Sequence, residues 1–427
     1  MHWQMTDSRL GLHRVKATVQ LLGLAAWLAA LPALSQPAAP AAIGWRGDGT
    51  GVVTAQPALE WSSEAKKNIL WRVQVGAGYS SPVAAAGRVF LASEPDRLVC
   101  VETARARVAW ERTNGLAQLP GAAPRIEKLP NREAGHATPT PVTDGKFVYA
   151  SFGTGIVVCY DLAGQRRWMR QLDAPPGSSY GRGASPILCD GKLLVVIGCV
   201  TALDPATGQT FWSAPEAGES FGTPAVARIG GVPVVVTGHG DCVRVSDGAL
   251  LETALGATPY TSPVVAGGVV FLAGPQTVAA QLPEKLEGKP EFKRLWMTEL
   301  EGDFFSSPVL VNGLLYVASN QGMLHALDAR TGELVYQAHL DIPSQGGPPG
   351  TEPASIYPSL VSVAGTILVS NDKGDTLVIA PGREFKPLRQ NGLEQGSAGT
   401  PAFEARLLFM RGGPFLYCIG DGEKQRK

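Results

Sequence analysis

Short apolar runs separated by turn-forming residues recur along most of this chain. In residues 326–336 (ALDARTGELVY) an apolar segment ends at an aspartate, a Thr-Gly pair follows, and a second segment ends on a large aromatic residue. Residues 202–212 (ALDPATGQTFW) repeat this pattern, and weaker copies end at Trp110 and Trp168. Because Thr-Gly favours a tight turn and the flanking segments are strand-like, each copy predicts a β-hairpin that ends on an aromatic residue.

A second hairpin is predicted upstream of each copy. There a small polar residue and a proline introduce an apolar segment, a turn and a β-rich run, as in residues 307–317 (SPVLVNGLLYV). The prolines that introduce the units are Pro82, Pro141, Pro186, Pro224, Pro263, Pro308, Pro358 and Pro401. Two hairpins make four strands, and eight such units at a period near forty residues are typical of a propeller. We therefore predict an all-β fold, an eight-bladed β-propeller of four-stranded antiparallel blades.

The two ends of the repeat region complement each other. Residues 68–75 resemble the outer strand of a blade that has no earlier strands before it, whereas residues 398–420 contain only three strand-like runs. A three-stranded last blade would leave a sheet edge exposed, so we predict that residues 68–75 pair with the strand around 415–419. On this reading, deletion of the chain up to Ile69 spares the fold, and deletion through Val75 does not.

Composition changes this picture little. Glycine (51 residues) and proline (33 residues) are abundant and charged residues make up 17% of the chain, as expected for many short strands joined by turns. The 37 basic and 37 acidic residues give a formal net charge of +0, which does not favour nucleic acid as a partner. A length of 427 residues exceeds that of an ordinary domain, but the repeats account for it.

The N-terminus has the layout of an export signal. Basic residues precede the apolar run 21–31, and small residues at 33–35 precede Gln36. This layout predicts a signal peptide over residues 1–35, with an uncleaved membrane anchor as the alternative. No cysteine lies near the cleavage region, so we expect no lipid anchor and a mature chain that is periplasmic or secreted.

Three further segments complete the predicted domain organisation. Residues 36–67 form a Pro-, Ala- and Gly-rich N-terminal segment, and we interpret residues 37–57 within it as a tether. Residues 68–420 form the propeller, and residues 421–427 form a polar tail. No segment after the leader has the length and apolar character of a membrane span, and we expect a monomer.

The A-x-D-x-x-T-G-x-x-x-W pattern of residues 202–212 resembles the motif of the pyrroloquinoline-quinone-like (PQQ-like) repeat propellers. That family includes the eight-bladed quinoprotein alcohol dehydrogenases and BamB, a lipoprotein of the outer-membrane barrel-assembly machinery. In the family the motif docks each blade on its neighbour. By this resemblance the blade-docking aromatic residues are Trp71, Trp110, Trp168, Trp212, Trp296 and Tyr336.

The six cysteines argue against the chemistry of the quinoprotein members. Those enzymes carry a disulfide between adjacent cysteines, a calcium-bound carboxylate site and a catalytic aspartate, and none of these can be carried onto this sequence. We therefore expect no cofactor, with PQQ and calcium as the alternative. Four cysteines fall at apolar strand positions and are predicted to be buried thiols: Cys100, Cys159, Cys242 and Cys418. A bridge between Cys189 and Cys199 stays open.

No other catalytic or metal-binding constellation stands out. The histidines of the mature chain, His136, His239, His325 and His339, lack metal-ligand spacing, so we predict no metal site. We find no nucleophile elbow, phosphate loop or carboxylate pair, and we name no catalytic or cofactor-binding residue. The favoured function is an exported non-enzymatic binding or assembly scaffold whose partner is a protein or an extracellular ligand, as the resemblance to BamB-like members implies. The alternative is a PQQ-dependent dehydrogenase.

Insertions between blades indicate where a scaffold would bind. Residues 113–137, 173–183 and 338–356 connect one blade to the next, whereas residues 281–294 lie within a blade. Alternation of antiparallel strands places the first three on one face and the fourth on the other. Five residues of the first face are candidate partner-binding residues, with ordinary surface positions as the alternative: Arg132, His136, Tyr180, Arg182 and Tyr357.

Overall fold

The computed structural model describes residues 42–119, 135–173, 175, 180–253, 255–288, 290–342 and 354–422. These residues form eight antiparallel sheets of four strands each, one of which carries an additional short strand. The first strands of neighbouring blades contact one another around a common axis. The predicted all-β, eight-bladed β-propeller is therefore confirmed.

The strands follow the same order in every blade. The inner strands are Val83–Ala85, Val142–Thr143, Ile187–Cys189, Ala225–Ile229, Val264–Ala266, Val309–Val311, Val361–Val363 and Ala402–Glu404. The second strands are Arg88–Ser93, Phe147–Ser151, Lys192–Ile197, Val232–Val236, Val269–Leu272, Leu314–Ala318, Thr366–Ser370 and Leu407–Gly412. The third strands are Arg97–Glu102, Ile156–Asp161, Cys199–Leu203, Cys242–Arg244, Gln276–Gln281, Met323–Asp328, Asp375–Ala380 and Phe415–Ile419. The outer strands are Arg107–Thr113, Arg166–Gln171, Thr210–Gly218, Leu250–Glu252, Lys293–Glu299, Leu334–His339, Lys386–Gly392 and, for the eighth blade, Ile69–Gln74.

The burial of each strand follows from its place in the blade. A second strand such as Leu314–Ala318 is buried at every position, because a neighbouring blade covers each face of its sheet. The outer strand Arg107–Thr113 instead alternates, with Trp110 buried between exposed neighbours. A 3₁₀ turn, Leu116–Gln118, follows this outer strand.

The ring closes as the sequence predicts. Ile69–Gln74 pairs antiparallel with Phe415–Ile419, which places Trp71 opposite Cys418. Trp71 packs on a cluster that includes Val99 of blade 1. The N-terminal strand thus completes blade 8 and packs against blade 1, so that Phe415–Ile419 is not left as an unpaired edge.

The Thr-Gly motif docks blade on blade through its glycine and the preceding blade's tryptophan. Trp296 of blade 5 donates its indole N–H to the Ala329 carbonyl of blade 6 at 3.0 Å. Equivalent bonds run from Trp110 to Leu162, from Trp168 to Pro205 and from Trp212 to Val245, at 2.8–3.1 Å. Gly332 has a φ of +77°, and a Cβ on it would lie 2.6 Å from the Trp296 ring. The turn therefore needs glycine for its backbone conformation and for the close approach of the indole.

A β-bulge in the outer strands aims these aromatic residues. In blade 6 the register shifts between Ala326, which pairs with Tyr336, and Leu327, which pairs with Leu334. The same shift occurs just before Trp110 and Trp212 in their own blades. A bulge bends its strand and rotates the next side chain, which here turns toward the neighbouring blade.

Small hydroxyl residues link the blades around the axis. In seven blades the residue of this set stands one position before the unit's proline, and in blade 7 it is Ser359. Seven of the eight residues donate their backbone N–H to the hydroxyl of the next blade at 2.9–3.1 Å. The donor-to-acceptor pairs are Ser81 to Thr140, Thr140 to Ser185, Ser185 to Thr223, Ser262 to Ser307, Ser307 to Ser359, Ser359 to Thr400 and Thr400 to Ser81. This hydroxyl ring corrects one repeat assignment, because Leu360, not Pro358, follows the ring residue of blade 7.

The segment that precedes Ile69–Gln74 is not the tether that its composition suggested. Val52–Val53 pairs parallel with Val361–Val363, the inner strand of blade 7, and Ile43 bridges to Thr143 of blade 2. Trp61 is 1% exposed within a core cluster of blades 7 and 8. Residues 42–53 therefore cross the axial end of the propeller on the face opposite the blade-to-blade connections.

The cysteines behave as buried apolar residues. Cys100, Cys159, Cys242 and Cys418 are buried in third strands, as predicted. Burial raises the pKa of the Cys100 thiol to about 11 and those of the other three thiols to about 12. Cys189 and Cys199 are also free thiols, so the bridge that the sequence left open is not formed.

The predicted leader, residues 1–35, and the end of the tail, residues 423–427, lie outside the described residues. The signal peptide thus stays a prediction. Across the part of the chain that the structure describes, no helix combines the length and hydropathy needed to span a membrane.

Candidate functional site

Five aromatic side chains form a continuous row on the face that carries the blade-to-blade connections, which we call the crowned face. Ring centroids are 6.5 Å apart for Tyr180 and Phe221, 5.5 Å for Phe221 and Tyr260, 4.8 Å for Tyr260 and Phe305, and 5.4 Å for Phe305 and Tyr357. We call this row the aromatic arc. Tyr180 and Tyr357 are 46% and 40% exposed, and the other three rings are partly exposed. The arc thus offers an apolar surface to solvent across several blades.

The repeat itself builds the aromatic arc. Phe221, Tyr260 and Phe305 each stand three residues before the proline of their unit, and Tyr357 holds the same position in blade 7. Because consecutive blades place equivalent residues side by side, four aromatic residues at one repeat position become neighbours. Blade 3 has Gly183 at this position, and Tyr180 from the insertion supplies the fifth ring, 6.4 Å from Tyr260.

The aromatic arc stands on a rigid base. The hydroxyl ring lies only two residues further along the chain in each blade, and the Ser306 hydroxyl donates to the Pro358 carbonyl at 2.9 Å. In blade 4, Gly222 approaches the Thr261 carbonyl so closely that a Cβ would lie 2.1 Å from it. The rings are therefore carried by backbone that packing already holds in place.

The structure places Arg182 differently from the sequence prediction. Its side chain is only 8% exposed and is used within the fold. Nη1 donates to the Gly153 carbonyl at 2.9 Å, Nη2 donates to the Pro175 carbonyl at 2.5 Å, and Nε forms an ion pair with Glu219. Arg182 therefore links blade 2 to the segments that precede and follow blade 3, and it is not an exposed anchor for a partner.

Of the other four candidate partner-binding residues, the structure describes three. Tyr180 and Tyr357 form the two ends of the aromatic arc. His136 is partly buried, and its backbone N–H and that of Ala137 donate to the Glu94 carboxylate at 3.0 and 2.7 Å. This carboxylate holds the end of the first insertion on blade 1. Arg132 lies outside the described residues.

Sequence reasoning missed Phe221, Tyr260 and Phe305. A signal was present, because an aromatic residue stands at the same repeat position in blades 1, 4, 5, 6 and 7, with Tyr79 in blade 1. The misassigned start of blade 7 hid the match with Tyr357. The consequence is that only the two exposed ends of the arc were named.

The side chains that the structure describes do not cluster into a metal centre. Among the described residues, no group of three or more His, Cys, Asp or Glu side chains is placed to hold a metal ion. His325 is 3% exposed in a third strand, and its burial lowers the pKa of the imidazole. The raised thiol pKa values likewise leave the four core cysteines unactivated at neutral pH.

A small cavity lies at the axial end opposite the crowned face. Residues 42–53 leave a cavity of about 40 Å³ between themselves and the inner strands of blades 7, 8 and 1. The lining residues are Ile43, Gly44, Arg46, Gly47, Val53, Val83, Ala84, Val361, Pro401, Ala402 and Phe403. This space suits a few water-sized groups, and a tricyclic quinone does not fit it.

Solved structures share the fold with this chain. BamB from Moraxella catarrhalis matches 83% of this chain and 99% of its own, with a TM-score of 0.58 at 13% identity. A europium-containing methanol dehydrogenase matches 87% of this chain and 90% of its own, with a TM-score of 0.62 at 13% identity. Identities this low establish the common propeller architecture alone.

Sequence comparison narrows the family. Outer membrane protein assembly factor BamB from Yersinia pestis is 27% identical over 228 residues, which is 47% of this chain and 56% of that relative. The match thus spans little more than half of the relative's length. A family model described as outer membrane protein assembly factor BamB matches residues 25–199, 196–289 and 288–385. Because these consecutive matches cover well over half of the 427 residues, the chain belongs to this BamB family of PQQ-like repeat propellers.

Proposed function

We propose that this chain is an exported, non-enzymatic scaffold that binds a protein partner with its crowned face. The observation that carries the proposal is the aromatic arc, in which five adjacent rings share one face and its two terminal tyrosines are at least 40% exposed. Contiguous apolar surface of this kind is a feature of interaction sites. The name of the Yersinia pestis relative, an outer membrane protein assembly factor, supports a protein as the partner.

The chemistry of the aromatic arc indicates which part of a partner it binds. Tyrosine and phenylalanine bury a large area for few rotatable bonds, and tyrosine keeps a hydroxyl for hydrogen bonding at the rim. Neighbouring rings at 4.8–6.5 Å form a row into which the apolar and aromatic side chains of another polypeptide can pack. We therefore propose a partner segment with exposed apolar or aromatic side chains. Export by the predicted leader would place this encounter in the periplasm or outside the cell.

Alanine substitutions in the aromatic arc are expected to weaken partner binding. We expect Tyr260→Ala, Phe305→Ala or Tyr357→Ala to reduce retention of native envelope proteins by the purified chain by more than ~1 kcal/mol, because a few central aromatic residues carry most binding energy. The measurement is affinity capture followed by titration of the retained protein. Thermal unfolding of each variant separates lost binding from lost folding.

Tyr79→Ala is the matched control for these variants. Tyr79 is 42% exposed at the equivalent position of blade 1, but blade 8, with Ala398 at that position, separates it from Tyr357. The Tyr79→Ala variant should therefore retain the partner as well as the unsubstituted chain does. If Glu284→Lys on the opposite face abolished retention while the arc variants bound normally, the proposed face would be wrong.

Calorimetry with PQQ and calcium is expected to show no micromolar binding. The chain has no adjacent cysteines, the described residues offer no acidic cluster for calcium, and the cavity of about 40 Å³ beside residues 43–53 is too small for the quinone. The check is titration of the mature chain with both ligands together, accompanied by a dye-linked alcohol oxidation assay. Saturable binding with dye reduction would favour the dehydrogenase alternative instead.

A further inference from the structure

One half of the aromatic arc is flanked by acidic residues and by no basic residue. This half, which we call the acidic half, consists of the three rings that stand in the connections from blade 4 to blade 7. Those connections contain four acidic residues and no Lys, Arg or His. The rings are Tyr260, Phe305 and Tyr357, the acids are Glu301, Asp303, Asp341 and Glu352, and the connections are residues 253–263, 300–308 and 340–360.

The rest of the crowned face adds little free positive charge. Among the described residues of its blade-to-blade connections and second hairpin turns, Arg182 and Lys373 are the lysine and arginine residues. Arg182 forms an ion pair with Glu219, and Lys373 lies 3.4 Å from the Asp372 carboxylate. Residues 281–294 on the opposite face instead contain four basic and three acidic residues. The excess of acid is therefore a feature of the crowned face.

Blade 6 holds the two central acids of the acidic half beside Phe305. Asp303 stands two residues before Phe305, and its carbonyl accepts the Asn320 N–H at 2.6 Å. The Gln321 side-chain amide donates to the Asp303 carboxylate at 3.4 Å. Glu301 and Asp303 are both exposed, and no cation in the described part of the chain lies within ion-pair distance of either. Their charge is therefore available to a partner.

The acids of the acidic half are spread along the surface. Across the described residues, no group of three or more His, Cys, Asp or Glu side chains is placed to hold a metal ion. Their charge thus acts as a field over the neighbouring rings. Such a field speeds the encounter with a partner of opposite charge and disfavours a partner of like charge.

We infer that the acidic half binds a basic segment of the partner, in which arginine or lysine alternates with apolar or aromatic side chains. This inference rests on the proposed function, since it names the chemistry of the partner that the crowned face binds. A guanidinium group can stack on the Phe305 ring and pair with the carboxylate of Glu301 or Asp303. An acidic segment would instead meet carboxylates of like charge.

The first test is titration of the mature chain with three synthetic peptides of equal length, in which phenylalanine alternates with arginine, glutamine or glutamate. At low ionic strength we expect the arginine peptide to bind about tenfold more tightly than the glutamine peptide, and the glutamate peptide to bind most weakly. Added salt should reduce the advantage of the arginine peptide, because salt screens exposed charges. Equal affinities for the arginine and glutamine peptides, or no binding of the arginine peptide, would overturn the inference.

Neutralisation of the two central acids locates the interaction. A chain with Glu301→Gln and Asp303→Asn should bind the arginine peptide about threefold or more weakly and the glutamine peptide as before. The matched control carries Glu284→Gln and Glu287→Gln, which remove two exposed acids of the opposite face. This control should bind the arginine peptide as the unsubstituted chain does. A loss of the same size in both variants would mean that net charge alone attracts the peptide, against the inference.

Charge reversal gives the complementary result. A chain with Glu301→Arg and Asp303→Arg should bind the glutamate peptide more tightly than the arginine peptide. Since both positions are exposed, thermal unfolding should show a Tm close to that of the unsubstituted chain. A reversed variant that is folded and still prefers the arginine peptide would contradict the inference.

Capture of native envelope proteins separates failure of this inference from failure of the proposed function. If Phe305→Ala weakened capture and the chain with Glu301→Gln and Asp303→Asn did not, the aromatic arc would bind the partner and the basic character of the partner would be wrong. If the substitutions in the aromatic arc also left capture unchanged, the proposed function itself would be wrong.

Discussion

A chain that begins at residue 76 is expected to aggregate instead of folding as a monomer. Its eighth blade would lack Ile69–Gln74, which leaves Phe415–Ile419 as an exposed edge with unpaired backbone groups. Val75, only 2% exposed, and Trp71 of the blade 8 to blade 1 junction would be lost as well. The measurement is size-exclusion chromatography with thermal unfolding, against a reference chain that begins at residue 42.

A chain that begins at residue 68 tests the role of the segment before the closing strand. It keeps the closing strand but loses Trp61 and Arg46, which are 1% and 4% exposed. The structure therefore predicts that such a deletion spares the fold, as the sequence suggested, but lowers the stability of the propeller. We expect a folded monomer with a clearly lower Tm, since loss of a buried tryptophan side chain alone costs about 3–5 kcal/mol. If instead the chain that begins at residue 76 unfolded at the same temperature as the chain that begins at residue 42, closure of the ring by Ile69–Gln74 would be refuted.

Gly332→Ala is expected to destabilise the propeller much more than Gly313→Ala. Both glycines belong to blade 6, with φ values of +77° and +76°, so both substitutions carry the same left-handed backbone strain of about 1 kcal/mol. Only Gly332 faces an indole: its Cβ would lie 2.6 Å from Trp296, whereas nothing lies within 4 Å of a Cβ at Gly313. Overpacking adds about 1–3 kcal/mol to the loss at Gly332.

The measurement is the free energy of unfolding of both variants by denaturant titration. The difference between them isolates the contact with the neighbouring blade, because the backbone cost is common to both. Equal losses would mean that Trp296 moves aside at little cost and that the glycine serves its own turn alone.

The sequence by itself determined the architecture of this protein. The hairpin motif of residues 202–212 recurs with its aromatic terminus, and the incomplete ends at 68–75 and 398–420 predict each other. These inferences succeed because a propeller repeats one local rule: strand pairing within a blade depends on near neighbours in the sequence, and each blade meets the next in the same way. The docking role of Trp296 is implied by the resemblance of the motif to the PQQ-like repeats, and its hydrogen bond to the Ala329 carbonyl agrees with that role.

Only the tertiary structure decided which side chains face solvent and which face the interior. Arg182 looked like a surface anchor, but Glu219 and two carbonyls from separate segments surround it. Arg46 lies in a Pro-, Ala- and Gly-rich stretch, yet it contacts carbonyls 262 and 314 residues away. Phe305 and Tyr260 become neighbours because ring closure brings equivalent positions of separate blades together. The contacts of Arg182 and Arg46 join residues that share no local pattern, so they arise only when the ring is assembled.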